Sequence, residues 1–397
     1  MPAVSLPVLR VKPREEHRVK GGHPWIYSNE VELDAKAKAL PPGSIVRILD
    51  SHGQDIGTAS FNPHSLIAAR LWTTDKAAAI DAEFFARRLR AALRLRERFY
   101  QRPYYRLIHA EADGLPGFIV DRYGDALAVQ ANTAGAEQLT PALLEALQTV
   151  LNPRAIVLRN DSKVRRLEGL AEEIRLAAGS LDPQPFVEEG GVRFTLDLME
   201  GQKTGWYFDL AEARLRIAQL SSGQDVLDCY CHIGAFALTA AKAGARSVRG
   251  IDRSELGVAL ASKAAGDNGL AGLATFEKGD AFESLENLNQ QKARFGLVIT
   301  DPPNFVKSRK DLGPGSRAYR KLAKLAAPLV APGGFWFVAS CAHLLPAELF
   351  AKEVAIGLNN AGRRGRIVLS GGAGPDHPVH PYLPESAYLK WQVLQLD

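Results

Sequence analysis

The pattern of apolar and polar positions changes twice along the chain, and each change marks a different architecture. Over residues 8–72 the apolar runs are short and alternate with polar positions, as in "HPWIYSNEV", "PPGSIVRILDSHGQDIGTASF" and "SLIAARLW". Period-two alternation between Gly- and Pro-rich breaks predicts a small β-barrel or β-rich module. "PPG" marks a turn ahead of a strand, and "LDSHGQ" marks a hairpin. Over residues 73–181 the pattern is mixed. "AEFFARRLRAALRLRERF" places Phe85, Leu89, Ala92, Leu93 and Phe99 at roughly helical spacing, with arginines between them. "GFIVDRYGDALAVQ" reads as two strands turning at "YGD", "PALLEALQTVL" as a helix and "AIVLRND" as another strand, which together make a small α+β domain.

From Val187 onward, strand-like and helix-like runs alternate. The strands read from sequence are "DVLDC", "SVRGID", "ATFEKGD", "GLVITD", "GFWFVAS", "RIVLS" and "YLKWQVLQL". The helices are "AFALTAAKAG", "ELGVALASKAAGDNG", "YRKLAKLAAPLV" and "PAELFAKEVAIGLN". Such alternation predicts an α/β, doubly wound parallel sheet. The expected domains are therefore 1–72, 73–181 and 182–397.

Composition narrows the class. A chain of 397 residues exceeds one ordinary core, and 46% hydrophobic with 23% charged residues describes a soluble globular protein. No apolar run of about 18 to 20 residues is present, so no membrane-spanning helix and no membrane partner are expected. "MPAVSLPVLRVKPREEHRVKGG" turns charged too early for a secretory leader. Three cysteines make no disulfide framework, which points to a reducing, cytoplasmic location. Cys229 and Cys231 lack a second pair, so no metal site is expected. The net charge of +5 permits a nucleic-acid partner without requiring one.

In doubly wound sheets ligands sit beyond the carboxyl ends of the strands. "VLDCYCHIGAFALTAA" is such an end: a strand closing on Asp228, a loop, Gly234 and a helix. It lacks both the dinucleotide glycines and a phosphate-cradling loop. The next two strands also end in acids, Asp252 in "GIDRS" and Asp280 in "KGDAF". A carboxylate at the second strand suits a ribose diol, and Asp280 could accept from an adenine amino group. Three strand-end acids around a loop that holds no phosphate fit S-adenosylmethionine. Acids also end strands and cap helices for purely structural reasons.

The fourth strand ends in "DPPNF" and the fifth in "SC". In methyltransferase sheets these strands are neighbours, about 4.8 Å apart. Pro302 and Pro303 stop the strand and stiffen the loop that holds Asp301. Carbon 5 of cytosine is a poor nucleophile until a thiolate adds at carbon 6. That addition needs electron withdrawal at N3, which a carboxyl group supplies. Cys341 and Asp301 are the two groups required. A thiol of ordinary pKa benefits from a positive field, for which Lys307, Arg309 and Arg317 are candidates, and equally candidates for phosphate contacts. A free cysteine is also often a small buried hydrophobe, the reading kept for Cys229 and Cys231.

The chain resembles the bacterial 23S ribosomal RNA cytosine-C-5 methyltransferases of the RlmI type, which carry an amino-terminal PUA domain. "GGHPWIYSNEV" and "GTASFNPHSLIAARL" look like the PUA module, and "EADGLPGFIVDRYGD" and "NDSKVRRLEGL" like the central domain. "EGQKTGWYFDLAEARLRI", "VLDCYCHIGAF", "GIDRS", "KGDAF", "TDPPNF", "SCAHLL" and "DHPVHPYLPESAYLK" follow the catalytic domain in order. The resemblance implies a class I S-adenosylmethionine-dependent methyltransferase sheet behind a PUA-like β-barrel and a central α+β domain. It implies Cys341 as nucleophile with Asp301 at the base. It also implies Asp228, Tyr230, Gly234, Asp252, Asp280 and Ala281 around the donor, with Gln202, Lys203, Thr204 and Asp209 closing over it. Pro302, Phe305 and Lys307 are expected on the substrate side, and "DHP" and "PESAYLK" around the base pocket. The implied partner is 23S ribosomal RNA, free or in partly assembled subunits, with a homodimer left open. Many RNA cytosine-C-5 methyltransferases have a second cysteine after the motif proline; Pro303 stands there, so the base that removes the carbon-5 proton is unassigned.

Two rivals stay open. "DPPNF" resembles the motif of exocyclic-amine methyltransferases, with Phe305 stacking on a guanine or adenine and Cys341 dispensable. The other is a non-catalytic RNA-binding factor. The arginines of residues 82–99 and the basic "GRRGR" fit an RNA contact or an ordinary solvated face.

Overall fold

A mixed sheet of seven strands dominates the C-terminal half. We number its strands β1 (Asp225–Cys229), β2 (Ser247–Asp252), β3 (Ala274–Lys278), β4 (Phe295–Thr300), β5 (Val330–Ser340), β6 (Gly365–Gly371) and β7 (Lys390–Leu396). The computed structural model describes residues 6–201 and 204–397. The spatial order is β3-β2-β1-β4-β5-β7-β6. Strands β1 to β5 run parallel, β7 is antiparallel to β5, and β6 is antiparallel to β7. Strand order reverses between β1 and β4, so the carboxyl ends there open a crevice.

The helices are α1 (Ala211–Ala218), α2 (Ala235–Lys242), α3 (Glu255–Asp267), α4 (Ala281–Gln290), α5 (Leu312–Ala326) and α6 (Ala347–Asn360). Their apolar faces bury against the sheet. Leu285, Leu288, Tyr319, Leu322, Phe350 and Val354 join Leu227, Val298, Trp336 and Val338 in one core. Each such side chain stabilises the fold by about 1.5–3 kcal/mol relative to exposure. The sequence reading omitted α1 and α4, although Phe282, Leu285 and Leu288 mark α4 at three-residue spacing. It also began α5 too late. The helix starts at Leu312, and a Cβ at Gly315 would meet the Phe305 carbonyl oxygen at 2.3 Å. Glycine there lets α5 seat directly on the loop that follows β4.

By contacts the chain forms two compact units. The second holds the seven-stranded sheet and residues 188–195. The first comprises residues up to 187 together with 196–206 and 375–384. It contains a five-stranded sheet drawn from residues 8–73, with Leu9, Val46, Ile48 and Phe61 in its core. A second five-stranded sheet, from residues 104–179, packs Phe118, Val120 and Leu158 against Phe85, Leu89 and Leu143 of two helices, Ala82–Phe99 and Ala134–Leu151. Asp81 and Thr133 cap those helices through Phe84 N and Ala136 N. The second helix runs through Pro141, where the sequence reading placed its start. Two sheet strands, Tyr104–His109 and Glu173–Gly179, were also not read from sequence.

The buried Glu168 carboxylate ties the two sheets of this unit together. It accepts from Asn62 Nδ2 at 3.0 Å and Ser65 Oγ at 3.0 Å, and pairs with Arg70 at 3.0 Å. The "DHP" segment is held inside the same unit: Asp376 accepts from Arg106 N at 3.0 Å, and its carbonyl accepts from Arg96 at 2.8 Å. No helix among the described residues is long and apolar enough to cross a membrane.

Candidate active site

The loop after β1 is held in an unusual backbone. Tyr230 and His232 have φ of +67° and +49°, a region that costs a non-glycine residue about 1–3 kcal/mol. The loop is pinned by Tyr230 N and Cys231 N, both donating to Ile251 O at 2.8 and 3.1 Å, and by His232 N donating to Asp252 Oδ2 at 2.9 Å. Gly234, at φ +79°, closes it. A Cβ there would lie 3.0 Å from Phe276 and 3.1 Å from Ala261, so glycine is needed both for the backbone and for the space.

The three strand-end acids stand around this loop. Asp228 is fully buried; one oxygen accepts from Ala237 N at 3.0 Å, and the other finds no hydrogen-bond partner among the described residues. Burial pushes its carboxyl well above the usual range, and the charges of Asp301 and Asp252 add to that. Asp252 also accepts from Ser254 N at 2.7 Å. Asp280 caps α4 through Phe282 N at 2.9 Å and Glu283 N at 3.2 Å, and Ala281 is the buried first residue of that helix. All three acids thus make the structural hydrogen bonds that strand-end acids make, and Asp228 keeps an oxygen over. The Tyr230 hydroxyl is likewise buried without a partner among the described residues.

The two converging strand ends lie next to this loop. β4 and β5 pair with Thr300 opposite Val338, so Asp301 and Cys341 each follow the last residue of adjacent parallel strands. Thr300 bolts the pair together: its hydroxyl donates to Phe337 O at 2.9 Å and accepts from Trp336 Nε1 at 3.0 Å. Ser340 accepts from the Tyr319 hydroxyl at 2.8 Å and from Ala342 N at 3.3 Å, which fixes the turn at Cys341. Cys341 is partly exposed, whereas Cys229 and Cys231 are buried and their thiols are pushed far up by burial.

Tyr207 joins the two halves of the site. Burial first, then the charges of Asp301, Asp209, Cys341 and Asp252, push its phenol up to about 12. One side chain therefore feels Cys341, Asp301 and Asp252 together. Arg214, paired with the Glu189 carboxylate, holds the Tyr207 carbonyl at 2.8 Å. The ring stands edge-on to His232, with centroids 5.7 Å apart. Asp209 is buried and accepts from the Tyr388 hydroxyl at 2.5 Å. Tyr207 and Tyr388 lie in quoted motifs, "GWYFDL" and "PESAYLK", but no local pattern assigned them a role.

Other expected site residues lie elsewhere or face inward. Phe305 packs against Tyr319, centroids 5.0 Å apart, and lies partly buried against the sheet core. Pro302 is buried and Lys307 is exposed. Thr204 belongs to the first unit, where its hydroxyl donates to Asp121 at 2.5 Å. Gln202 and Lys203 lie outside the described residues. Among the described residues no group of three His, Cys, Asp or Glu side chains could hold a metal ion.

Comparison with known proteins settles the family. Residues 9–74 match the model of a PUA-like domain, and residues 125–356 match that of an S-adenosylmethionine-dependent methyltransferase. The chain is 35% identical to the ribosomal RNA large subunit methyltransferase I of Shewanella denitrificans, over 98% of this chain and 99% of that one. It is 36% identical to the protein of the same name from Aeromonas hydrophila, over 99% and 100% of the two chains. The chain belongs to the ribosomal RNA large subunit methyltransferase I family. Among solved structures, the candidate methyltransferase SMU.776 complexed with SAH shares the fold, with a TM-score of 0.83 at 19% identity over 98% of this chain and 100% of that one.

The residues around the β1 loop fit the donor of an S-adenosylmethionine-dependent methyltransferase. The open Asp228 oxygen, the buried Tyr230 hydroxyl and the close Gly234 backbone surround a loop with no phosphate cradle. Such a set suits a nucleoside joined to a charged amino acid.

Proposed function

We propose that this methyltransferase modifies carbon 5 of a cytidine in 23S ribosomal RNA, in the cytoplasm, through a covalent Cys341 adduct. The single observation that supports this reading most is the pairing of β4 with β5, which sets Asp301 and Cys341 at adjacent strand ends, both acting on Tyr207 together with Asp252. The Cys341 sulfur adds to carbon 6 of the base, and the Asp301 carboxyl donates to N3 as electron density arrives there. Carbon 5 is then enamine-like. Asp228, Tyr230, Gly234, Asp252, Asp280, Ala281 and Asp209 hold S-adenosylmethionine, which supplies an electrophilic methyl group at that carbon. Pro302 shapes the Asp301 loop.

The three-domain division at about 72 and 181 is part of the same reading, with the PUA-like and central domains holding RNA by shape and phosphate contacts. The outer strand β6 exposes Ile367, Val368 and Leu369, the surface on which a homodimer would form. Phe305 is partly buried and rests against the sheet core and Tyr319, which weighs against stacking on an exocyclic-amine substrate. The test is Cys341→Ala with 23S ribosomal RNA. It is expected to abolish methylation while S-adenosylmethionine still binds by calorimetry. Retained turnover would shift the assignment to an exocyclic amine, and absence of donor binding in the unaltered protein would revive a purely RNA-binding role.

A further inference from the structure

A thiol that must add to a pyrimidine needs a cation close by, and the expected sources do not supply one at depth. Lys307, Arg309 and Arg317 are all exposed, so water screens them. The structure offers another group. Lys390 opens β7 and pairs directly with Ser340, the residue before Cys341. Its ammonium is half-buried and donates to Ala342 O at 2.6 Å and to Leu345 O at 2.6 Å. Both acceptors belong to the short turn that begins at Cys341. Among the described residues no carboxylate pairs with Lys390, an expensive setting for a partly desolvated cation.

We propose that Lys390 is the positioning residue for Cys341: it clamps the 341–345 turn and supplies the positive charge that favours the thiolate. This rests on the reading of Cys341 as nucleophile. The electrostatics agree with the geometry. Burial lowers the Lys390 pKa, and Cys341 acts against that lowering. The coupling is mutual, so what the thiolate does for the ammonium the ammonium does for the thiolate.

The other groups around the thiol do not replace it. Asp301, from the β4 end, is the acid that gives its proton to N3 and supplies no positive charge. Tyr207, ahead of α1, and Tyr319, on α5, are raised by burial, so both stay neutral in the working range. Among these groups Lys390 is the cation. In the addition step the sulfur lone pair forms the S–C6 bond. The displaced C5–C6 electron pair moves through the ring to N3, which takes the Asp301 proton. Negative charge thereby passes from sulfur to the carboxylate, leaving the ammonium unchanged.

The test is the pH dependence of Cys341 alkylation by iodoacetamide in the full-length protein, followed peptide by peptide in a mass spectrometer. Cys229 and Cys231 are buried and do not compete. Lys390→Gln keeps a donor for the two carbonyls but removes the charge. Its profile is expected to move up in pH, with alkylation near neutrality slower by about tenfold, while Lys390→Arg stays near the unaltered protein. Superimposable profiles for Lys390→Gln and the unaltered protein overturn the proposal. If Lys390→Gln does not fold, Cys341→Ser gives the reciprocal reading. Acetylation of Lys390 should then begin at lower pH than in the unaltered protein, and an unchanged profile overturns the proposal. A parallel trap with 5-fluorocytidine RNA separates the two ideas. Shifted alkylation without an RNA adduct in the unaltered protein would condemn the nucleophile and spare the pairing. An adduct with unshifted alkylation would condemn Lys390 alone.

Discussion

Replacing Thr300 by valine tests how the strand ends that carry Asp301 and Cys341 are held together. The side chain is fully buried between β4 and β5, and its hydroxyl makes two hydrogen bonds, to Phe337 O at 2.9 Å and from Trp336 Nε1 at 3.0 Å. Valine keeps the volume, so no cavity opens. What changes is polar satisfaction. The Trp336 N–H, on a ring with no exposure, loses its acceptor, at a cost of about 1–3 kcal/mol. The lost bond to Phe337 O adds about 0.5–1.5 kcal/mol. The expected loss is therefore roughly 2–4 kcal/mol, felt in the strand pair that carries Asp301 and Cys341. Urea denaturation of Thr300→Val and Thr300→Ser makes the comparison, because serine keeps the hydroxyl and loses only a methyl group, a change of about 1 kcal/mol. The midpoint of Thr300→Val should fall well below that of Thr300→Ser, and its rate of adduct formation with 5-fluorocytidine RNA should fall with it. If valine is as stable as serine, the bolt between the strands is not polar, and the account of the site's rigidity fails.

Gly234→Ala forces a side chain into the left-handed region and against Phe276 and Ala261, so S-adenosylmethionine binding by calorimetry should weaken roughly tenfold or more. Unaltered affinity would mean that the donor does not approach this turn. Asp228 has a folded pKa raised above its unfolded value by burial, so its contribution to stability is complete below the unfolded value and is lost as pH rises through the folded one. Asp228→Asn should therefore gain stability relative to the unaltered protein as pH rises from about 4 toward 8, read from urea midpoints at each pH. A difference between the two that stays constant with pH would show that the carboxyl does not titrate as buried.

The pattern of apolar positions by itself determined the strands β1 to β7, and the acids that end β1 to β4 stood out against it. Those features are local: a run such as "GFWFVAS" is buried wherever it lands, and "DPP" cannot continue a ladder. Periodicity carried less where residues are polar on average. Helix α4 was missed because its asparagines and glutamates mask three well-spaced apolar anchors, and Pro141 read as a boundary although the cap at Thr133 starts the helix earlier. The proposed make-up of the site, Cys341, Asp301 and the three acids, came from strand ends that a local pattern exposes, together with the family resemblance. Its completion did not. Lys390 comes to the Cys341 turn only because β7 inserts antiparallel between β5 and β6, and Tyr207 reaches Asp301 and Cys341 only because Arg214 and Glu189 hold the segment before β1. Strand order and such long-range pairings depend on free energies summed over residues far apart in the chain. A local pattern reports which side of an element is buried, but not which element lies against it.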